Sequence, residues 1–105
     1  MSSQIIQVQT TFPSSESASA CCHGLIELKL AACVQILGPI SSTYWFDGDI
    51  CQDSEWLILI KTKSSHFDAL EQYLLDHHPY DVPQIIAIPI QDASSSYLGW
   101  IKHVM

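Results

Sequence analysis

The chain has 105 residues and a net charge of −7, with charged residues at only 14% of positions and hydrophobic residues at 48%. The length fits a single domain over residues 1–105, and the absence of arginine, with four lysines as the only strong bases, excludes the basic surface that nucleic-acid binding requires. Soluble domains usually have about 25% charged residues, so this composition predicts a subunit that buries much of its surface in an oligomer.

The first predicted elements are a strand and a helix. Residues 4–11 alternate apolar and polar side chains as a strand does, and Phe12-Pro13 ends the pattern. Ser14 or Ser15 can cap a helix that runs to about Lys29. Its apolar face recurs at helical spacing and is formed by Ala18, Cys21 or Cys22, Leu25 and Leu28. We interpret the two adjacent cysteines as small core residues.

A long antiparallel hairpin is predicted next. Leu30–Leu37 forms its first part, Gly38-Pro39 breaks or bends it, and residues 40–46 resume the extended structure. Asp47-Gly48 is a strong turn signal, after which the chain returns. The apolar tip, formed by Tyr44, Trp45 and Phe46, is expected to pack on a neighbouring subunit rather than face water.

The returning strand contains the segment Glu55–Lys61, which is apolar between its two charged ends. A short apolar run can be a buried helix segment or a buried strand, and its length favours the strand. A strand that is apolar on both faces must be covered on both. One short chain has difficulty in supplying two covers, so a partner chain is expected on one face.

The last third of the chain predicts a second helix, a strand and a terminal helix. Ser65 with Asp68 resembles a capping box, and residues 78–83 stop the helix because they contain two prolines. The strand Gln84–Ile90 contains Pro89, which indicates an edge position or a bulge. The apolar face of the second helix is predicted to be Phe67, Leu70, Leu74 and His77. Ser94 to Ser96 cap the last helix.

The element order is therefore β-α-β-β-α-β with an additional C-terminal helix. An antiparallel sheet with right-handed crossovers and this order gives an α+β, ferredoxin-like split β-α-β sandwich with an extended hairpin. Both connecting helices then cover one face of the sheet. The other face is expected to be covered by other copies of the chain.

The expected location is cytoplasmic. The N-terminus has no basic start followed by a long apolar core, as a signal peptide has, and no stretch reaches the ~18 apolar residues of a membrane span. The cysteines at positions 21, 22, 33 and 51 are therefore expected to be reduced thiols. Their spacing matches no zinc motif, and no role beyond structure is assigned to Cys21, Cys22 and Cys51.

Two residues are candidate metal ligands. Cys33 follows two alanines in a predicted strand, and its thiolate is a soft ligand suited to copper(I); the alternative is a small buried hydrophobic residue. His78 lies at a helix end beside proline, and neutral imidazole is a common metal ligand. The alternative for His78 is a structural role at the negative end of the helix.

Six further residues are assigned to a cleft between subunits. Glu55 and Lys61 lie on one face of a strand but at opposite ends, so each needs a partner elsewhere. The aromatic members are assigned because aromatic side chains are enriched in interfaces. The full set of this predicted intersubunit cleft is Trp45, Glu55, Lys61, Tyr80, Tyr97 and Trp100.

Several segments in order resemble the CutA family of divalent-cation tolerance proteins. They are Leu30–Val34, Tyr44-Trp45 followed by Gly48 and Ile50, Glu55–Thr62, His78–Pro83 and Tyr97–Trp100. The resemblance implies a homotrimer of ferredoxin-like subunits, similar in shape to PII-type signal proteins. It also implies binding of copper and other divalent metal ions, and a role in the response to them.

The resulting expectation is a trimeric cytoplasmic metal-binding protein that contacts neither nucleic acid nor a membrane. The alternative is a PII-like small-molecule sensor or scaffold that acts on an unidentified protein partner through its intersubunit cleft. We do not expect an enzyme, because the chain shows no nucleophile and base at a suitable spacing and no arginine to clamp a phosphate.

Overall fold

The structure, a computed structural model, describes residues 4–105. It confirms the predicted order of elements and adds a short 3-10 turn before the second helix. The elements are β1 (Ile5–Phe12), α1 (Ser15–Glu27), β2 (Cys33–Phe46), β3 (Asp49–Lys63), the 3-10 turn (Ser64–His66), α2 (Phe67–His77), β4 (Ile86–Pro89) and α3 (Ser95–Val104).

The strands form one sheet in the order β2-β3-β1-β4, and each pair of neighbours is antiparallel. This is the ferredoxin-like α+β arrangement that the sequence predicts. β4 lies at an edge, as Pro89 indicates, because proline has no backbone N–H to donate to a neighbouring strand. β3 lies between β1 and β2, so the apolar segment of this strand is in the interior of the sheet.

The hydrophobic core lies between α1, α2 and one face of the sheet. Ser14 caps α1, since its side chain accepts a hydrogen bond from the backbone N–H of Ser17 at 3.1 Å. The two adjacent cysteines are core residues, as predicted, and burial raises the pKa of Cys21 to about 11 and that of Cys22 to about 12. The fully buried side chains of this core include Val8, Leu25, Ile58, Ile60, Leu70 and Leu74.

The second face of the sheet is only partly covered within one chain. On β3, Ile58 and Ile60 are fully buried under the helices, whereas the alternating residues Leu57 and Leu59 are half-buried. On the two edge strands of this face, Leu37 is 46% exposed, Ile86 45% and Ile88 43%. We call this the open face. The structure thus agrees with the prediction that one chain supplies one cover.

The hairpin of β2 and β3 extends well beyond the body of the subunit. The strands pair from Cys33↔Lys61 to Phe46↔Asp49, with an irregularity between Leu37 and Ile40. Gly48 (φ 85) supplies the left-handed backbone that the tip requires. The subunit measures 44 × 27 × 23 Å with a radius of gyration of 14.4 Å, above the roughly 13 Å of a compact chain of this length.

Four sequence-based predictions of local structure are wrong. Leu28, predicted on the apolar face of α1, follows the last residue of the helix and is 58% exposed. β2 starts at Cys33 instead of Leu30, because Lys29 takes a left-handed conformation (φ 57) and Leu30 N–H bonds back to Leu25 at 2.9 Å to close the end of α1. Ser65 does not cap α2, which begins two residues later without a side-chain cap. His77 is not on the buried face of α2; it is exposed and stacks on Tyr73 at 4.1 Å.

Within residues 4–105, no helix combines the length and the apolar character that a bilayer crossing demands.

Candidate functional site

His78 lies just after α2 and is held by contacts on every side of its ring. It stacks on Phe12 with ring centroids 4.2 Å apart. Its Nδ1 accepts the backbone N–H of Tyr80 at 3.2 Å, so the neutral ring carries its hydrogen on Nε2, which lies 3.2 Å from Thr10 Oγ1. Both ring nitrogens of His78 are therefore engaged within the subunit.

Burial lowers the pKa of His78 below its usual value of 6.5, although the backbone of Thr11 and the carboxylate of Glu55 act in the opposite direction. Partial removal from water disfavours the imidazolium form. Burial thus favours the neutral ring over the imidazolium in a contact that joins the end of α2 to β1.

Tyr80 and Glu55 form the second contact of this region. Tyr80 donates its hydroxyl hydrogen to Glu55 Oε2 at 2.7 Å, and Glu55 is only 8% exposed. Burial is the main cause that raises the pKa of Tyr80, followed by its hydrogen bond to this carboxylate. Next along the hairpin, Tyr44 donates to Asp53, which repeats the pairing of a phenol with a carboxylate.

A second group of predicted site residues lies at the start of β2 on the open face. Cys33 is half-buried and faces Lys61 across the strand pair. The Nζ of Lys61 donates to Gln35 Oε1 on the same face. From α3, Tyr97 approaches Cys33, and burial, followed by the influence of this thiol, raises the pKa of Tyr97. Trp100 stacks on Tyr97 with ring centroids 5.7 Å apart.

The two candidate metal ligands do not meet within one chain. Cys33 projects from the open face, because its neighbour Val34 packs into the core. His78 contacts Thr10, which is fully buried on the helix-covered side with Val8. In the described part of the chain, no three His, Cys, Asp or Glu side chains are grouped as metal ligands. A single subunit therefore does not fit a complete metal site, and the assignment of Cys33 and His78 stays a prediction.

Trp45 stands apart from both groups. It lies at the hairpin tip and is 72% exposed, and its neighbours Phe46 and Ile50 are 66% and 67% exposed. Within one chain the tip is separated from Glu55 by the outer half of the hairpin. The residues of the predicted intersubunit cleft thus lie in three separate places on the subunit.

Sequence reasoning missed the partners of these residues. His78 contacts Thr10 and Phe12, and Lys61 contacts Gln35. In the sequence, these three partners have only the pattern of ordinary strand residues. The strand register is the signal that could have found Gln35, since it places this residue diagonally across from Lys61 on one face.

Comparison with known proteins gives consistent results over the whole described fold. A family model described as "CutA1 divalent ion tolerance protein" matches residues 6–104. The rice protein "Protein CutA 1, chloroplastic" (Oryza sativa subsp. japonica) is 42% identical over 98 residues, which are 93% of this chain and 55% of that protein. "Divalent-cation tolerance protein CutA" of Thermus thermophilus is 39% identical over 95 residues, which are 90% of this chain and 92% of that protein.

The solved structures lead to the same family. The crystal structure of CutA1 from Oryza sativa superposes with a TM-score of 0.95 at 39% identity and covers 99% of this chain and 95% of that one. The chain spans about half the length of the plant relatives that it matches, and nearly all of the bacterial one.

Proposed function

The chain belongs to the CutA1 divalent ion tolerance protein family, and on this premise we propose that it acts in divalent-cation tolerance. The proposed active form is a homotrimer that binds copper and other divalent cations without turnover. The names of its relatives, such as the Thermus divalent-cation tolerance protein, support the role. The homotrimer and the copper are the finer part of the proposal and depend on the surface of this subunit.

The observation that carries the homotrimer is the exposed apolar hairpin tip. Trp45, Phe46 and Ile50 project from a subunit that already leaves Leu37 and Ile88 exposed on its open face. Apolar side chains in such numbers at the end of a long projection mark a protein interface. A tip that packs on the neighbouring subunit would cover both surfaces in a closed ring.

Metal binding is proposed at the boundary between subunits. Cys33 supplies a soft thiol on the face that a neighbour would cover, and one chain alone does not complete a set of ligands among residues 4–105. The remaining ligands would come from a second copy. His78 is the second candidate, and binding through its ring requires that it release Thr10 or the Tyr80 backbone.

Sedimentation and copper titration test the two parts of this proposal. Analytical ultracentrifugation gives the number of chains, and anaerobic copper(I) and aerobic copper(II) titrations of Cys33→Ser and His78→Ala test the ligands. Cys51→Ser is the matched control, since Cys51 is another free, half-buried thiol, on the outer hairpin. Unchanged copper affinity in both site variants would remove the assignment, and a monomer would remove the intersubunit cleft.

The second candidate function is the PII-like sensor or scaffold. It is supported by the open face and the projecting hairpin tip, since a cleft that these surfaces form between copies of the chain can hold a small molecule. Thermal-shift screening of metals against metabolites separates the two functions. A large shift with one metabolite and none with copper or zinc would favour the sensor.

We also propose a cytoplasmic location, as the sequence suggests. All four cysteines are free thiols in the structure, which is the state that a reducing compartment maintains.

A further inference from the structure

A concave pocket lies at the end of the sheet opposite to the hairpin tip. Its volume is about 410 Å³, and its lining residues are Gln4, Ile5, Lys63, Ser64, Ser65 and Lys102. Three elements meet there: the start of β1, the end of β3 with the following 3-10 turn, and the last turn of α3. The backbone N–H of Ser64 donates to the carbonyl of Gln4 at 2.8 Å and fixes the turn against β1.

The pocket concentrates positive charge in an acidic protein. Lys63 and Lys102 are two of only four lysines in a chain with a net charge of −7 and no arginine. Within residues 4–105, neither lysine forms an ion pair or a side-chain hydrogen bond. Two lysine side chains without an ion-pair partner at one concavity make the site electrostatically favourable for an anion.

The other lining groups indicate what kind of anion fits. Ser64 and Ser65 are exposed. The Ser65 hydroxyl lies 3.3 Å from Nδ1 of the neighbouring His66, and both hydroxyls can rotate to donate to an oxygen of the ligand. The methylene chains of the lysines supply apolar surface beside the charges. The volume is within the range of small-molecule sites and exceeds what a single monatomic anion needs.

We propose that this pocket, defined by Lys63, Lys102, Ser64 and Ser65, binds a small multivalent oxyanion through its phosphoryl or carboxylate oxygens. The two ammonium groups contact the charged end and the two hydroxyls donate to its oxygens. Cys33, His78 and the hairpin tip take no part, so this site is distinct from the proposed metal site.

The test is calorimetric titration of the metal-stripped full chain with inorganic pyrophosphate and, separately, with citrate at low ionic strength. Metal-stripped protein is used because both probes chelate divalent cations. We expect one saturable site per chain for at least one probe, with affinity that falls as salt is added. A preference for pyrophosphate assigns a phosphoryl ligand and a preference for citrate a carboxylate ligand, and either result supports the site.

Three lysine-to-glutamine substitutions, each of which removes one positive charge, locate the binding site. Lys63→Gln and Lys102→Gln should each weaken it about tenfold, as expected for the loss of a charge-assisted hydrogen bond, and Lys63→Arg should retain it. Lys29→Gln is the control, because Lys29 is exposed in the turn after α1 and outside the pocket. Its effect should be less than twofold.

Lys102 also lies in the last turn of a helix, where a cation is favoured by the helix dipole. Lys63→Gln, at the end of a strand, has no such role and so decides the test, with melting curves confirming that each variant is folded. Equal weakening by Lys29→Gln would show diffuse attraction only and overturn the proposal. Failure to bind either probe would also overturn the proposal. Neither outcome would change the result of the copper titration, which tests the proposed metal site separately.

Discussion

Tyr80 donates its phenolic hydrogen to Glu55 over 2.7 Å and so joins the segment after α2 to the middle of β3. The carboxylate is nearly buried, and an acceptor of this kind without a donor is costly. The contact also places Tyr80 beside Tyr44 and Asp53, which influence its ionisation. This hydrogen bond therefore fixes the loop that carries His78 against the base of the hairpin.

We predict that Tyr80→Phe destabilises the subunit by about 1–3 kcal/mol, the usual cost of an unsatisfied buried polar group. Urea unfolding at fixed protein concentration measures the change. A double-mutant cycle with Glu55→Gln isolates the pair. Tyr73→Phe is the control, because the Tyr73 hydroxyl makes no hydrogen bond within residues 4–105. An equal loss in both variants would assign the effect to packing instead.

The pairing of Tyr80 with Glu55 shows where sequence reasoning ends. The sequence predicts that Glu55 and Lys61 each need a partner, because six residues along a strand separate them. Choosing the partner requires knowing where residues 78–83 return to the sheet. That path has no periodicity and two prolines, so local patterns do not determine it.

A second prediction concerns His78 and acid. Since burial lowers its pKa below 6.5 in the folded chain, the unfolded chain binds more protons in the window between the lowered value and 6.5. The free energy of unfolding contributed by His78 is therefore fully present above pH 6.5 and is lost as pH falls through the folded pKa. Chemical unfolding at several pH values between 7.5 and 4.5 measures this dependence.

His78→Gln should reduce the fall in stability over that window, because the amide does not titrate. The matched control is His77→Gln, which removes the neighbouring exposed imidazole, and the comparison of the two variants separates position 78 from a general effect of losing a histidine. A dependence that is the same in wild type and His78→Gln would contradict the assignment of this proton to His78.

The large elements are predictable because their signals are redundant. Residues 56–60 are apolar, lack glycine and proline, and lie between turn signals, and the structure places them in an interior strand. The helix ends and caps are less predictable. Ser65 with Asp68 fits a capping box by spacing, but β3 continues to Lys63 and a 3-10 turn takes up the serine. The pairing of β3 with its neighbours thus outweighs the preference of Ser65 for a helix cap, which is worth about 1 kcal/mol.

A third prediction tests the irregularity in β2. A Cβ on Gly38 would lie 2.7 Å from Cγ and 2.9 Å from Nε1 of Trp56, whose ring packs against the core. Gly38→Ala should therefore cost about 1–3 kcal/mol through overpacking. Gly99→Ala is the matched control: it lies in α3 with nothing within 4 Å of the added carbon, and should stabilise by up to about 1 kcal/mol. Thermal and urea unfolding of both variants distinguish these opposite signs.

The last prediction addresses the hairpin tip. Trp45 is the most exposed large aromatic side chain in the described chain, and buried tryptophans are often the residues that contribute most to an interface. If the tip packs on a neighbouring subunit, Trp45→Ser removes about 2 kcal/mol or more at each of the equivalent contacts, which is roughly a thirtyfold weakening per contact. Sedimentation equilibrium should then show a shift from three chains towards one over the micromolar range.

Leu75→Ser provides the comparison, because Leu75 is a 49% exposed apolar residue on α2, away from the tip. Its removal should leave the number of chains unchanged, and circular dichroism should show that both variants remain folded. A Trp45→Ser variant that sediments like wild type at every concentration would show that the tip does not hold subunits together. The exposed Phe46 and Ile50 would then need another cover, because a hairpin end this apolar is unfavourable in water.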